Sequence, residues 1–175
     1  MHKKLFSIVL IVSVPLFFAC DVEDIVYQLT RMTQDELNFL YENTEPGPIP
    51  VGESEGTVIF SAGTVLEPYL QLQLGRLWQG KTFKIGENGE HYVENMILDG
   101  REMFPADVYY GDSLYDGDET IIIDYSKLSP PPANLIQDEI RLVEEDVYLG
   151  QMWTQKEDGD YTFIGNFVCD LRGVE

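Results

Sequence analysis

The stretch VYLGQMWTQKEDGDYTFIGNFV, residues 147–168, decides the fold. Apolar, β-branched and aromatic residues fill positions 147–154 and again positions 161–168, as in two short strands. Between them lies Asp158-Gly159, a pair typical of the tight turn of a β-hairpin, because glycine readily adopts positive φ. The stretch therefore predicts two antiparallel strands joined by a short turn.

The same pattern recurs along most of the chain. Further strands are predicted over residues 57–61, 81–86, 91–98, 105–110, 119–125 and 135–143. Asn88-Gly89 and Asp116-Gly117 are additional turn signals, and Pro130-Pro131-Pro132 indicates a stiff connector. Eight short strands at close spacing predict a mainly β fold, an antiparallel barrel whose interior is either filled by side chains or holds one small ligand.

Two segments favour helix. Residues 22–42 have helical spacing of apolar residues, with a capping box at Thr33-Gln34-Asp35-Glu36. Residues 64–78 fit either structure: Leu70, Leu72 and Leu74 alternate as in a strand, whereas Leu66, Leu70, Leu74 and Trp78 recur every four residues. A second capping box at Thr64-x-x-Glu67 favours helix. We therefore expect an N-terminal helix and one further short helix beside the barrel.

The N-terminus has the layout of a secretory signal. Lysines at positions 3 and 4 precede the apolar run LFSIVLIVSVPLFFA, residues 5–19, which is short for a membrane-spanning helix. The run ends in Leu16-Phe17-Phe18-Ala19-Cys20, which resembles the lipobox of bacterial lipoproteins and implies acylation of Cys20. The alternatives are an uncleaved anchor and a soluble exported protein. Lipid on Cys20 leaves Cys169, the only other cysteine, as an unpaired core residue.

These features divide the chain into a signal peptide (residues 1–19), a segment with the lipidated cysteine, the helix and a Pro/Gly linker (20–55), and the barrel domain (56–175). We expect an exported, membrane-anchored protein that faces the periplasm or the cell surface. The formal net charge of −20 at pH 7 repels phosphates, which excludes nucleic acid as a partner. Most of the acidic residues are predicted to form a solvated surface.

Gly52-Glu53-Ser54-Glu55-Gly56 matches G-x-S-x-G, the nucleophile motif of many hydrolases. That motif needs a strand before the serine and a helix after it, whereas here a Pro/Gly-rich stretch precedes Ser54 and a predicted strand follows. Beyond the leader, His91 is the only histidine that could serve as a base. We therefore interpret the match as a chance polar turn and predict a protein that is not an enzyme, a hydrolase being the less favoured alternative.

The sequence also predicts no cofactor and no metal site. It has no cluster of Cys and His for zinc, and no nucleotide-binding loop. The acidic stretch from Asp112 to Glu119 lacks the ligand spacing of an EF-hand, because Leu114 and Ile123 occupy ligand positions. It is interpreted as an acidic hairpin tip.

Aromatic residues and one arginine are the candidate ligand-binding groups of the barrel. They are Trp78, Tyr109, Tyr125 and Trp153, with Arg141 as a polar anchor. Arg141 is expected to pair inside the barrel with Asp124, Asp138 or Glu139. The alternative is that the aromatics are ordinary core and that the ion pair is structural or exposed.

Several blocks carry a family resemblance over roughly residues 50–168: LWQGKTF, IIIDYSKLS, QDEIRLVEEDVYLGQMW and FIGNFV. Together they resemble a poorly characterised family of small bacterial proteins, a resemblance that implies no particular activity. Gly75-Arg76-Leu77-Trp78 also resembles the start of the lipocalin barrel, with one residue more. We therefore expect a lipoprotein of the cell envelope that binds a small apolar or amphipathic ligand in a lipocalin-like barrel. The alternative is a non-enzymatic structural or interaction protein, whose protein partner the sequence does not identify.

Overall fold

The computed structural model describes residues 24–59 and 77–173. Within these residues the chain forms two α-helices, α1 (Ile25–Leu29) and α2 (Gln34–Glu42), and a short 3₁₀ helix at Ala133–Leu135. The eight strands are β1 (Gly52–Ile59), β2 (Trp78–Ile85), β3 (His91–Ile97), β4 (Arg101–Asp112), β5 (Glu119–Asp124), β6 (Ile136–Glu144), β7 (Val147–Gln155) and β8 (Tyr161–Asp170), and the 3₁₀ helix lies between β5 and β6.

The eight strands form a closed antiparallel barrel in which each strand pairs with the next and β8 pairs with β1. Ser54 lies opposite Lys81 between β1 and β2, and Val58 lies opposite Phe167 between β1 and β8. The turns predicted at Asn88-Gly89 and Asp158-Gly159 are present, each with its glycine at positive φ. The predicted eight-stranded barrel is therefore confirmed.

β1 begins earlier than the sequence predicted. It starts at Gly52 rather than at residue 57, so Ser54 lies in a strand and not in a polar turn. Ser54 and Val58 are buried, whereas Glu53 and Glu55 are exposed, which is the alternation of a strand with one buried face. The interpretation of this stretch as a turn was wrong because small polar residues hid that alternation. The domain boundary predicted at residue 55 lies inside β1.

The second predicted helix lies largely outside the described residues, which resume at Leu77. Trp78 is already the first residue of β2, so a helix does not extend to residue 78. A β-bulge between Trp78 and Gly80 explains the local departure from regular spacing, because Gly80 adopts a φ of 144°.

Both N-terminal helices pack on the outside of the barrel. The capping box of α2 is present: Thr33 Oγ1 accepts a hydrogen bond from the Glu36 amide, and Glu36 accepts one from the Thr33 amide. The buried residues of this outer core are Leu29, Leu37, Tyr41, Ile59, Val147, Leu149 and Val168. The helices therefore lie against β1, β7 and β8, and Tyr41 of α2 also contacts Thr120 of β5 and Arg141 of β6, so the helices do not stand apart as a separate arm.

The Pro/Gly linker closes one end of the barrel. The Leu142 amide donates to the Glu45 carbonyl, and the hydroxyls of Tyr110 and Tyr148 donate to the carbonyls of Gly47 and Pro48. These contacts lie where β4 and β6 end and β7 begins. We call this the closed end, and we call the opposite end, where the β3–β4 and β5–β6 connections lie, the cavity end.

Inside the barrel the core is aliphatic and aromatic. Its buried residues are Phe83, Val93, Ala106, Val108, Ile121, Ile123, Tyr125, Ile140, Tyr148, Phe167 and Cys169. Gly150 is required opposite Phe167, because a β-carbon there would overlap the Phe167 ring. This packing extends from the closed end to Tyr125 and Phe167, which border the cavity end.

Candidate functional site

The cavity end of the barrel holds a cavity of about 300 Å³. Its described wall is mostly aliphatic and aromatic, with Val58, Leu77, Ile97, Phe104, Ala133, Ile136, Met152 and Phe167. The remaining described lining residues are Trp78, Lys81, Asn95, Tyr125, Asp138 and Asn166. A mainly apolar wall with a few convergent polar groups, at a volume near the lower end for ligand sites, is the usual form of a small-molecule pocket.

An ion pair lies at the inner end of this cavity. Lys81 Nζ is 2.7 Å from Asp138 Oδ2, and the two side chains are 3% and 4% exposed. Lys81 also donates to Asn95 Oδ1 at 2.9 Å and to the Tyr125 hydroxyl at 2.6 Å. We call these four residues the inner cluster.

The remaining polar groups of the inner cluster are also bonded to one another. The Tyr125 hydroxyl donates to Asp138 Oδ2 at 2.9 Å and accepts from Asn95 Nδ2 at 3.0 Å. Asn95 Nδ2 also donates to the Phe104 carbonyl, and Asn95 Oδ1 accepts from Trp78 Nε1 at 2.9 Å. Asp138 Oδ1 is the exception, a buried atom with no hydrogen-bond partner.

Strand alternation explains why these charges point inward. Lys81 shares the inner face of β2 with Phe83, and Asp138 shares the inner face of β6 with Ile140. Tyr125 follows directly after β5. Three aromatic rings surround the Lys81 ammonium, with the centroids of Trp78, Tyr125 and Phe167 at 5.5, 5.3 and 5.1 Å. These rings supply a favourable electrostatic environment for a buried cation.

The electrostatics fix the protonation of the inner cluster at neutral pH. Burial alone would lower the pKa of Lys81, but the charge and hydrogen bond of Asp138, together with Tyr125 and Cys169, more than offset this effect, and the pKa lies above its ordinary value. Burial and Asp138 raise the pKa of Tyr125 well above its ordinary value. Burial also raises the pKa of the nearby Cys169 thiol to about 11. Lysine is therefore charged, and tyrosine and cysteine are neutral.

A second polar cluster lies on the outside of the barrel, beneath α2. Arg141 makes two hydrogen bonds to Asp116, at 2.7 and 2.8 Å, and donates to the Tyr41 carbonyl at 2.9 Å. Glu139 accepts from the Ser113 hydroxyl at 2.7 Å and from the Leu114 amide at 2.8 Å. We call this the outer cluster.

The structure brings only two of the predicted binding residues to the cavity. Trp78 and Tyr125 line it. Tyr109 is 42% exposed and bonds Asp124 on the barrel surface. Trp153 packs edge-on against Phe163, with ring centroids 5.4 Å apart, and is not among the described lining residues.

Arg141 was expected inside the barrel, and the structure corrects this placement. Residues alternate between the two faces of β6, so Asp138 faces inward and Arg141 faces outward. The partner of Arg141 is Asp116, and none of the three expected acids forms an ion pair with it. The inward cation is Lys81, which the sequence analysis missed although it alternates with Phe83 in WQGKTFKI.

Ser54 does not occupy a nucleophile elbow. It lies within β1, is fully buried, and its Oγ donates to the Lys81 carbonyl at 3.0 Å and accepts from the Lys81 amide at 3.2 Å. His91 begins β3 and pairs with Ile85, at the closed end of β2. Ser54 therefore acts in strand pairing.

Two further findings concern the described residues as a whole. No group of three or more His, Cys, Asp or Glu side chains among them is arranged to hold a metal ion. Neither α1 nor α2 is long and apolar enough to cross a membrane.

Comparisons with protein-family profiles, curated proteins and solved structures found no match to this chain.

Proposed function

We propose that this protein binds a small apolar or amphipathic molecule in the cavity of its barrel and performs no catalysis on it. The observation that carries this proposal is the cavity of about 300 Å³ with its mainly aliphatic and aromatic wall. The apolar side chains around the cavity make fewer dispersion contacts than they would in a filled core. A ligand that enters the cavity restores those contacts and removes its own apolar surface from water.

A cavity-filling variant tests this proposal. Ile97 lines the cavity from β3, and its neighbour Met96 belongs to the opposite face of the strand. We expect the purified full chain to bind the neutral fluorescent probe N-phenyl-1-naphthylamine with one-to-one stoichiometry. Ile97→Trp should abolish that binding because the indole fills the cavity, whereas the matched control Met96→Trp should retain it.

Mass spectrometry of an organic extract of the denatured protein tests the same proposal without a probe. A co-purified apolar molecule that is present in wild type and absent from Ile97→Trp supports the proposal. Absence of probe binding together with an empty extract would refute it. The alternative hypothesis, a non-enzymatic structural or interaction protein of the cell envelope, would then be favoured.

We further propose that the chain is anchored to a membrane of the bacterial cell envelope through lipid on Cys20. The layout of a basic start, an apolar run and Ala19-Cys20 supports this anchor. A diacylglycerol and an N-acyl chain on one cysteine would provide stable membrane attachment, since each buried methylene contributes about 0.8 kcal/mol.

The anchor would join the barrel at its closed end. Asp24 pairs with Arg172 at 3.0 Å, and Arg172 also pairs with Glu144, where β6 ends. Cys20 is four residues from Asp24, so the chain cannot carry it more than about 14 Å away. The cavity end would therefore face away from the anchoring membrane.

The two cysteines supply a matched test of the anchor. Wild type expressed in bacteria should fractionate with membranes and carry acyl mass, and Cys20→Ser should lose both properties. Cys169→Ser changes a buried thiol in β8 and should keep both. An unacylated, soluble wild type would refute the anchor and leave the ligand-binding proposal untouched.

A further inference from the structure

The donor groups of the cavity wall are already occupied. The three N–H donors of the Lys81 ammonium go to Asn95, Tyr125 and Asp138. The Trp78 indole N–H goes to Asn95. The Tyr125 hydroxyl donates to Asp138 Oδ2. These assignments use every donor that these three lining side chains have.

Neither lining amide offers a free donor to the cavity. Asn95 Nδ2 uses both of its N–H groups, on the Phe104 carbonyl and on Tyr125. Asn166 Nδ2 donates one N–H to the Gly150 carbonyl, and its side chain lies on the outer face of β8, where Oδ1 accepts from Gln34, because Asn166 alternates with the inward Phe167. The closed barrel has no free edge, so its strand amides pair with neighbouring strands except at the β-bulges beside Trp78, Asn95 and Met152. Among the described lining residues, no side chain that faces the cavity therefore has an N–H or O–H group that a ligand's anionic end could engage without displacing an existing partner.

The charge balance of the inner cluster also disfavours an anion. Lys81 and Asp138 neutralise each other at 2.7 Å. The one described lining atom left without a partner, Asp138 Oδ1, is an acceptor and carries negative charge. A carboxylate, sulfonate or phosphate in the cavity would lose its hydration and meet no unoccupied side-chain donor from the described part of the wall, which is the costly case of burying an unpaired charge.

We propose that the cavity selects uncharged ligands and rejects anionic amphiphiles of the same apolar shape. The ligand class is an apolar molecule whose polar part, where it has one, is a neutral hydrogen-bond donor such as an alcohol or amide. Fatty-acid carboxylates are excluded from this class. The inference rests on the proposed ligand-binding function and adds the chemistry of the ligand to it.

Two probes with the same ring system test the selection. N-phenyl-1-naphthylamine is neutral, and 8-anilinonaphthalene-1-sulfonate carries the same rings with one sulfonate. Fluorescence titration of the full chain should give a dissociation constant for the neutral probe that is lower by about tenfold or more. Equal affinity, or tighter binding of the sulfonate at the site that Ile97→Trp blocks, would overturn the inference and leave the ligand-binding function standing. Binding of neither probe, together with an empty organic extract, would refute the function itself.

Salt separates the cavity from the surface charge. The formal net charge of −20 repels the sulfonate at long range, and about 1 M salt screens such repulsion to a Debye length of about 3 Å. Because the proposed selection acts inside the cavity, the preference for the neutral probe should persist at that salt concentration. A preference that disappears in salt would assign the discrimination to the surface and overturn the inference.

A variant that frees donors should weaken the selection. Tyr125→Phe removes the oxygen that accepts from Lys81 and Asn95, and it keeps the ring and the ion pair between Lys81 and Asp138. We expect the sulfonate to bind about tenfold more tightly to this variant and the neutral probe to change little. The control Tyr109→Phe, on the exposed surface, should leave both affinities unchanged.

Asp138→Asn is the second variant, and it leaves the Lys81 charge uncompensated at nearly unchanged volume. The sulfonate should gain affinity here as well, relative to the neutral probe. Near-ultraviolet circular dichroism measures whether each variant is folded, and the titrations are carried out under conditions in which its spectrum matches that of wild type. Unchanged probe preference in both folded variants would overturn the inference.

Discussion

β6 has charged residues on both of its faces, and the two faces use charge differently. On the inner face, Asp138 pairs with Lys81 inside the barrel. On the outer face, Arg141 pairs with Asp116 and contacts Tyr41 of α2. The inner pair lies among rings and strands that close the barrel, whereas the outer pair holds a helix against it.

The difference shows that burial alone does not define the role of an ion pair. Both Lys81 and Arg141 are almost fully buried, at 2% and 1% exposure. The Lys81 ammonium lies inside the barrel at the inner end of the cavity and its side chain is 3% exposed, whereas Asp116, the partner of Arg141, lies in a partly exposed turn. The inner pair is therefore expected to affect the whole barrel, and the outer pair mainly the attachment of α2.

Removing Asp138 should produce the largest loss of stability. Asp138→Leu leaves the Lys81 ammonium buried without a counter-charge, a change that costs about 3–5 kcal/mol in comparable pairs. Urea unfolding followed by tryptophan fluorescence measures the difference. The double variant Lys81→Met/Asp138→Leu removes both charges and should recover most of the loss. A single variant within about 1 kcal/mol of wild type would contradict this account.

Removing the outer cation should have a smaller and more local effect. Arg141→Met keeps much of the side-chain volume but loses the bonds to Asp116 and to the Tyr41 carbonyl. We expect the free energy of unfolding to fall by about 2 kcal/mol. The loss is smaller than for Asp138→Leu because Asp116 regains contact with water. Hydrogen exchange should accelerate for the amides of α2 and remain slow in β6. Equal acceleration of exchange in α2 and in the barrel strands would show that the outer cluster stabilises the whole barrel, as the inner cluster is expected to do.

Glu139 should make the outer face sensitive to pH. Burial raises its pKa above the ordinary value of 4.5. A raised pKa means that the folded protein holds this proton more tightly, so the contribution of Glu139 favours folding below pH 4.5 and is lost as pH rises through the folded-state pKa.

Glu139→Gln removes this titration. The variant should therefore gain stability relative to wild type as pH rises through that window, with a slope of at most about 1.4 kcal/mol per pH unit for one proton. Urea midpoints of both proteins between about pH 4 and pH 8 measure the difference. Parallel stability curves would contradict a raised pKa in the folded state.

The barrel could be predicted from the sequence because its signals are local. Alternating apolar residues and the Asp158-Gly159 and Asn88-Gly89 turns mark strand after strand, and these features depend on residues close in the chain. The start of β1 could not be placed in this way. Ser54 is buried there because it lies on the inner face of β1, which closes the barrel between β2 and β8, a long-range pairing that the local pattern does not contain.

The site was predictable only in part. The alternation of residues along a strand shows which side chains share a face, but it does not show which face points into the barrel. The sequence places Asp138 with Ile140 on one face of β6, and Arg141 with Glu139 on the other. Choosing which face points inward requires the contacts of α2, which cover the face of Arg141. The aromatic residues Tyr109 and Tyr125 pose the same difficulty, since only the second lines the cavity.

Buried hydroxyls on the two faces allow the smallest effects to be compared. Ser54→Ala removes the inner-face hydroxyl that bonds the Lys81 backbone, and Thr120→Val removes the outer-face hydroxyl that bonds Tyr41. Each should cost about 1 kcal/mol in urea unfolding, as expected for one buried hydrogen-bonding group. Only Thr120→Val should accelerate hydrogen exchange in α2. Because Ser54 Oγ is buried and bonded within the sheet, wild type should also show no labelling of Ser54 by a fluorophosphonate probe. Labelling of that residue would show that the serine is accessible and activated, and would contradict a purely structural role for it.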